Sequence, residues 1–176
     1  IQEEKMAILI QELVGQAYDK TRYYPTFSGV LQSMNYYPVS YMKRNEGVAY
    51  LALGFGRTIV DGEKCLRISP KYPKILPQFY SIKATLQNTQ NQFYGLPLKA
   101  RDQSEEDLKA YSLREAEQDG ALGWVGSVVS HEDNNLRDSL SAKGPRVVSF
   151  SSVLKWDSIP LPNIARDILR IGKKSL

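Results

Sequence analysis

Six consecutive apolar and aromatic residues, Val48–Leu53 (VAYLAL), run without a break into Gly54-Phe55-Gly56. A run this short, bounded by glycine, reads as a strand buried on both faces. A chain that carries such a strand must also supply neighbours to pair with it and cover it. Phe27–Met34 (FSGVLQSM) alternates apolar and small polar residues with period two, as a half-buried strand does. Leu66–Ser69 reads as a third, short strand. It is stopped by Pro70, Pro73 and Pro77, which together forbid a helix or a central strand. Met6–Val14 (MAILIQELV) is a further apolar run of strand length, ended by Gly15.

The rest of the chain is more mixed. Ile82–Leu86 and Phe93–Leu98 read as strands separated by a polar turn at 88–92. Gln103–Ala110 and Ser112–Asp119 carry acidic residues with weak helical periodicity. Ser112 and Glu115 have the spacing of a capping box, in which hydroxyl and carboxylate each satisfy a helix-end amide. Leu122–Val129 and Arg146–Phe150 read as a strand pair around the polar link His131–Gly144. Pro160–Ile171 reads as a helix with Leu161, Ile164, Ile168 and Ile171 on one face. Its prolines lie in the entry turn, and Gly172, Lys173 and Lys174 lie near its exit. Strands therefore dominate the first two-thirds and helices the end. The division expected is residues 1–78 as core strands with the glycine-rich turn, and 79–176 as a β-rich extension ending in a helix.

Composition narrows the chemistry. The 176 residues include one cysteine, Cys65, and one histidine, His131. An internal disulfide and a cysteine-based metal cluster are excluded, and with one histidine and one cysteine no Ser/His/Asp or Cys/His arrangement is credible. The net charge of +4 comes from Lys and Arg scattered among Glu and Asp, so no basic stripe points to nucleic acid. No apolar stretch approaches the ~20 residues of a membrane span. The chain opens at Ile1 in place of an initiator Met, and it stops at Leu176 just after an amphipathic helix. It is therefore expected to be an internal piece of a larger, cytoplasmic protein.

Three places could meet a ligand. Gly54-Phe55-Gly56, followed by Arg57, Val60, Asp61 and Gly62, sets flexible backbone at a strand end, where amides can approach phosphates. The same glycines also fit a tight turn that needs positive φ. Gln11 and Glu12 are polar residues near the end of an apolar run, which suits a strand end facing a cleft or a carboxylate facing water. Ser28-Gly29 opens a strand with a glycine, which suits close approach by a ligand or a β-bulge.

Taken in order, the segments ILIQELVG, SGV, ALGFGRTIVDG and the terminal helix resemble the ATP-binding domain of the phosphoenolpyruvate synthase and pyruvate phosphate dikinase family. The likeness covers residues 6–70 and about 158–176. Gln11 and Val14 match its first motif, with Leu13 in place of Met. Ser28, Gly29 and Val30 match the second. Gly54, Gly56, Val60 and Gly62 match the third, with Phe55 for Leu.

The resemblance implies an α+β, ATP-grasp-like portion with a mainly antiparallel sheet and a C-terminal amphipathic helix. It also implies ATP and Mg²⁺ as cofactors. Pyruvate or phosphoenolpyruvate and a phosphohistidine domain of the same chain are the implied partners, with neither nucleic acid nor membrane. Gln11, Glu12, Leu13 and Val14 would form the hinge that reads adenine. Ser28, Gly29, Gly54, Gly56 and Arg57 would line the phosphate end. No catalytic residue or metal ligand of the family falls within the segment. Two departures stand out. Val48-Ala49-Tyr50-Leu51 lacks the family's acidic or amide residue near the metal, and Arg57 replaces its glutamate. A degenerate, non-catalytic nucleotide-sensing or protein-interaction domain of the same fold is the alternative.

Overall fold

The structure, a computed structural model, describes residues 6–39, 41–98, 108–156 and 158–174. In chain order the strands and helices are β1 (Gln16–Tyr18), β2 (Arg22–Tyr24), β3 (Ser28–Gln32), β4 (Val48–Ala52), α1 (Arg57–Val60), β5 (Leu66–Ile68), α2 (Ile82–Asn88) and β6 (Gln92–Pro97). They continue with β7 (Lys109–Ser112), α3 (Leu113–Gln118), α4 (Leu122–Val125), β8 (Gly126–Val129), β9 (Leu136–Arg137), β10 (Arg146–Val148), α5 (Ser151–Lys155) and α6 (Leu161–Lys174). Three sheets result, ordered β1-β2-β6-β7, β3-β4-β5 and β10-β8-β9, and every pairing is antiparallel. The α+β class with mainly antiparallel sheet is thus what the chain adopts.

Local chemistry sets the joints. The β1–β2 hairpin turns on Asp19 and Lys20, both at φ 52°, closed by Thr21 N–H donating to the Tyr18 carbonyl at 3.0 Å. β3 and β4 meet along their full length, from Ser28 opposite Ala52 to Gln32 opposite Val48. At that far end Gly47 sits at φ +75°, where a Cβ would lie 2.8 Å from the Gln32 carbonyl oxygen. A single apolar cluster joins the sheets. It contains Tyr24, Leu51, Leu53, Ile68, Phe93, Leu122, Val125, Val148 and Phe150.

Several sequence expectations are corrected. Met6–Val14 forms no strand; it runs as irregular, exposed chain and pairs with no strand among the described residues. Ile82–Asn88 is a helix. Its β-branched Ile82 and Thr85 mimic a strand, but Ser81 caps the turn by accepting from Ala84 N–H at 3.1 Å. Leu122–Val129 is helix for its first half and strand only from Gly126, an ambiguity that a short apolar run always carries. Lys109–Ser112 is strand β7, and most of the helix expected over Gln103–Ala110 lies outside the described residues.

The capping box at Ser112 and Glu115 forms as expected. Helix α6 also forms; Pro162, Ala165 and Leu169 are its buried residues, while Leu161, Ile164 and Ile168 of the expected face line a cavity against Leu31, Leu51 and Ile68 and stay partly exposed, and Ile171 lies further out. The two stripes lie about 100° apart on the helix, and periodicity alone does not say which one is covered more fully.

Candidate functional site

The turn that leaves β4 is held from both sides. Leu53 N–H donates to the Gln90 side-chain oxygen at 2.9 Å, and the Gln90 amide donates back to the Leu53 carbonyl at 3.0 Å. The same amide reaches the Gln92 carbonyl at 2.8 Å, and Gln90 is buried. One glutamine therefore satisfies both backbone groups of Leu53 and ties the turn to β6. Phe55 N–H donates to the Tyr94 carbonyl at 3.0 Å. Between these bonds Gly54 adopts φ +77°, and a Cβ there would stand 2.7 Å from the Tyr94 carbonyl oxygen. Only glycine tolerates both demands at once.

Gly56 then opens α1, with Ile59 N–H donating to its carbonyl at 2.9 Å. The Arg57 side chain folds back along the helix. Its Nε donates to Asp61 at 3.0 Å, and its guanidinium lies 4.8 Å from the Tyr94 ring centroid. Tyr94 in turn donates to Glu63 at 2.7 Å. That bond, and burial after it, push the phenol pKa up. The glycine turn is thus bounded by a cation, two carboxylates and a phenol.

Ser28, at the start of β3, lies against this turn. A Cβ on Gly56 would come within 3.7 Å of the Ser28 hydroxyl oxygen. That oxygen is buried and has no hydrogen-bond partner. A buried hydroxyl without a partner costs about 1–3 kcal/mol, and such a cost points to a group that completes it.

The structure brings some of the sequence-predicted residues together and leaves others apart. Ser28 and Gly56 adjoin, while Gly54 faces Tyr94 and Phe93. Gly29 packs on Leu51 from the adjacent strand, with a virtual Cβ 3.1 Å from the Leu51 side chain. Val14 lines an open cavity of about 340 Å³ with Gly15, Gln16, Pro25, Thr26 and Phe27, directly before Ser28. Gln11, Glu12 and Leu13 stand exposed, and the Leu13 carbonyl accepts from the Tyr23 hydroxyl at 2.6 Å.

Gln90 escaped the sequence reading. Its only trace was a glutamine in a polar turn, and nothing local shows that the turn folds inward. Among the described residues no three or more His, Cys, Asp and Glu side chains form a metal-holding group, and no helix is long and apolar enough to cross a membrane. No protein-family model matches the chain, and no curated protein or solved structure matches it significantly.

Proposed function

We propose that this chain is part of an ATP-binding domain of the phosphoenolpyruvate synthase and pyruvate phosphate dikinase type, with the glycine turn at the phosphate end. The observation that carries the reading is the buried, unpartnered Ser28 hydroxyl beside Gly56. A phosphate oxygen would accept from it, and the backbone of a glycine turn leaves room for such an approach. Arg57 would supply positive charge beside that oxygen. Phosphoryl transfer asks the protein chiefly for positioning and charge neutralisation, which is the kind of group present here. Mg²⁺ would add neutralising charge at the phosphates, and no cluster of three or more His, Cys, Asp and Glu side chains stands ready to hold it among the described residues.

A second reading has its own support. Arg57 stands where the family carries a glutamate, and it is engaged by Asp61 and Tyr94. Val48-Ala49-Tyr50-Leu51 offers no carboxylate to a metal. These features favour a domain that holds nucleotide without turning it over.

One experiment separates the readings. The full protein carrying this segment is given ATP, Mg²⁺ and pyruvate, and AMP is quantified beside an equilibrium ATP titration. AMP release that depends on pyruvate supports the phosphotransferase. Saturable ATP binding without AMP supports the non-catalytic domain. The absence of saturable binding overturns both.

A further inference from the structure

β3 is the outermost strand of its sheet, and among the described residues nothing pairs with its outer edge. Apolar side chains lie open on both faces beside that edge. On one face α6 presents Ile164, Ile168 and Ile171, which are 43%, 48% and 63% exposed. On the other, Val30, Gln32, Tyr50, Ile59 and Val60 line a cavity of about 410 Å³, and Val60 is 79% exposed. Unpaired edges and open apolar patches of this kind are associated with a missing partner.

The exposed segment that contains Ile8, Leu9, Ile10, Leu13 and Val14 ends close to the start of this edge, where Val14 lines a cavity with Pro25, Thr26 and Phe27. It is apolar at both odd and even positions, so as a strand it would bury both faces. It also enters from the correct side. β1 and β2 pair as Gln16 with Tyr24, Ala17 with Tyr23 and Tyr18 with Arg22. Where that ladder stops the backbones still touch, since a Cβ on Gly15 would lie 2.9 Å from the Tyr24 carbonyl carbon and 3.1 Å from the Pro25 nitrogen. Pro25 has no N–H to donate, which accounts for the break in the ladder. Beyond it the chain bends at Thr26 and then enters β3.

We propose that residues 8–14 dock as an added strand on the outer edge of β3, in the register that β1 and β2 already set. Continuing that register places Val14 opposite Thr26, Glu12 opposite Ser28, Ile10 opposite Val30 and Ile8 opposite Gln32. Directly opposed residues share a face. Ile8 and Ile10 then cover the cavity at Val30 and Val60. On the opposite face Leu9 and Leu13 fall beside Leu31 and Phe27, next to Ile164 and Ile168 of α6. Gln11 falls opposite Gly29, where no side chain competes for space. Glu12 meets Ser28, so its carboxylate accepts from the hydroxyl that otherwise lacks a partner. A shift of one residue would exchange the two faces and lose the Glu12–Ser28 contact. Docking requires no nucleotide, and in the docked state Glu12 takes the Ser28 hydroxyl that the proposed function gives to phosphate, so trapping without ATP tests the docking separately from nucleotide binding.

The test is disulfide trapping in a Cys65→Ser background. Opposed pairs in an antiparallel ladder alternate between a wide and a close type, so one of Ile10/Val30 and Leu9/Leu31 has the close spacing. Paired cysteines at one of these two sites are expected to form an intramolecular bond under mild oxidation, while the offset pair Leu9→Cys/Val30→Cys does not. In the unmodified protein, hydrogen exchange at some amides within 8–14 is expected to be about 100-fold slower than in an unstructured peptide. Preferential bonding of the offset pair would overturn the register. Bonds formed only between molecules would assign the edge to a second copy and overturn the intramolecular docking. Exchange at the unstructured rate without any trapping would overturn the docking altogether.

Discussion

The sheet that contains the chain's first hairpin and the β3-β4-β5 sheet that follows it are finished to different degrees. In the β1-β2-β6-β7 sheet the aromatic rings close on one another. Tyr18 stacks on Tyr24 at 4.2 Å, and Tyr24 meets Phe93 at 4.5 Å. The charges there are paired as well. Arg22 binds Asp119 through two nitrogens, at 2.7 and 2.8 Å, and the Tyr24 hydroxyl donates to the same carboxylate at 2.6 Å.

The β3-β4-β5 sheet is the open counterpart. It leaves an edge unpaired, the Ser28 and Ser69 hydroxyls without partners and α6 isoleucines partly exposed. The difference teaches where to look for function. A network whose groups all satisfy each other has nothing left to offer a ligand, whereas unsatisfied groups mark where something else is received.

The largest effect is expected from the closed side. Asp119→Ala leaves Arg22 and Tyr24 without their acceptor, and breaking such a buried pair costs about 3–5 kcal/mol, measurable by urea unfolding. Burial alone would raise the Asp119 pKa, but hydrogen bonds from Arg22 and Tyr24 hold it below the usual carboxylate range. Its folded value therefore lies under its unfolded one. The stability it contributes is complete above the unfolded value and is lost as pH falls through the folded one. The acid limb of the stability–pH curve is expected to flatten in the variant.

A smaller loss is expected at the junction of the two regions. Gly54→Ala forces a side chain into φ +77° and against the Tyr94 carbonyl oxygen, at a cost of about 2 kcal/mol. A loss near zero in thermal unfolding would show that the turn relaxes freely and is not clamped by Gln90 and Tyr94.

The smallest stability effect belongs to the open side. Ser28→Ala removes a hydroxyl with no partner, so stability should change by less than about 0.5 kcal/mol or rise slightly. If the site receives a phosphate, ATP affinity in the same variant falls about 5–10-fold, the worth of one hydrogen bond. A large stability loss would instead place Ser28 in the structural class of Asp119 and erase the contrast.

Much of the fold was legible where a local rule suffices. β3 and β4 announce themselves by alternation and by an unbroken apolar run, and Ser112 with Glu115 announces α3. The glycine turn was legible as a turn, since Gly54 and Gly62 both take positive φ. Helix α2 was misread because Ile82 and Thr85 outweighed the cap at Ser81. Gln90 was invisible because its partners, Leu53 and Thr58, lie more than thirty positions away.

The amino-acid sequence by itself determined the strand-rich class, the break after each apolar run, the exclusion of an internal disulfide or cysteine-based metal cluster and the amphipathic terminal helix. These follow from side-chain volume, backbone freedom and periodicity, all of which act within a few residues. Only the tertiary structure decided that Pro162, Ala165 and Leu169 are buried while Ile164 and Ile168, lining a cavity against the sheet, stay about half exposed. It alone set Ser28 against Gly56 without a partner and left Met6–Val14 unpaired. Which polar group is satisfied, and which apolar face is covered, depends on backbones that meet across long stretches of chain, and no local pattern encodes that meeting.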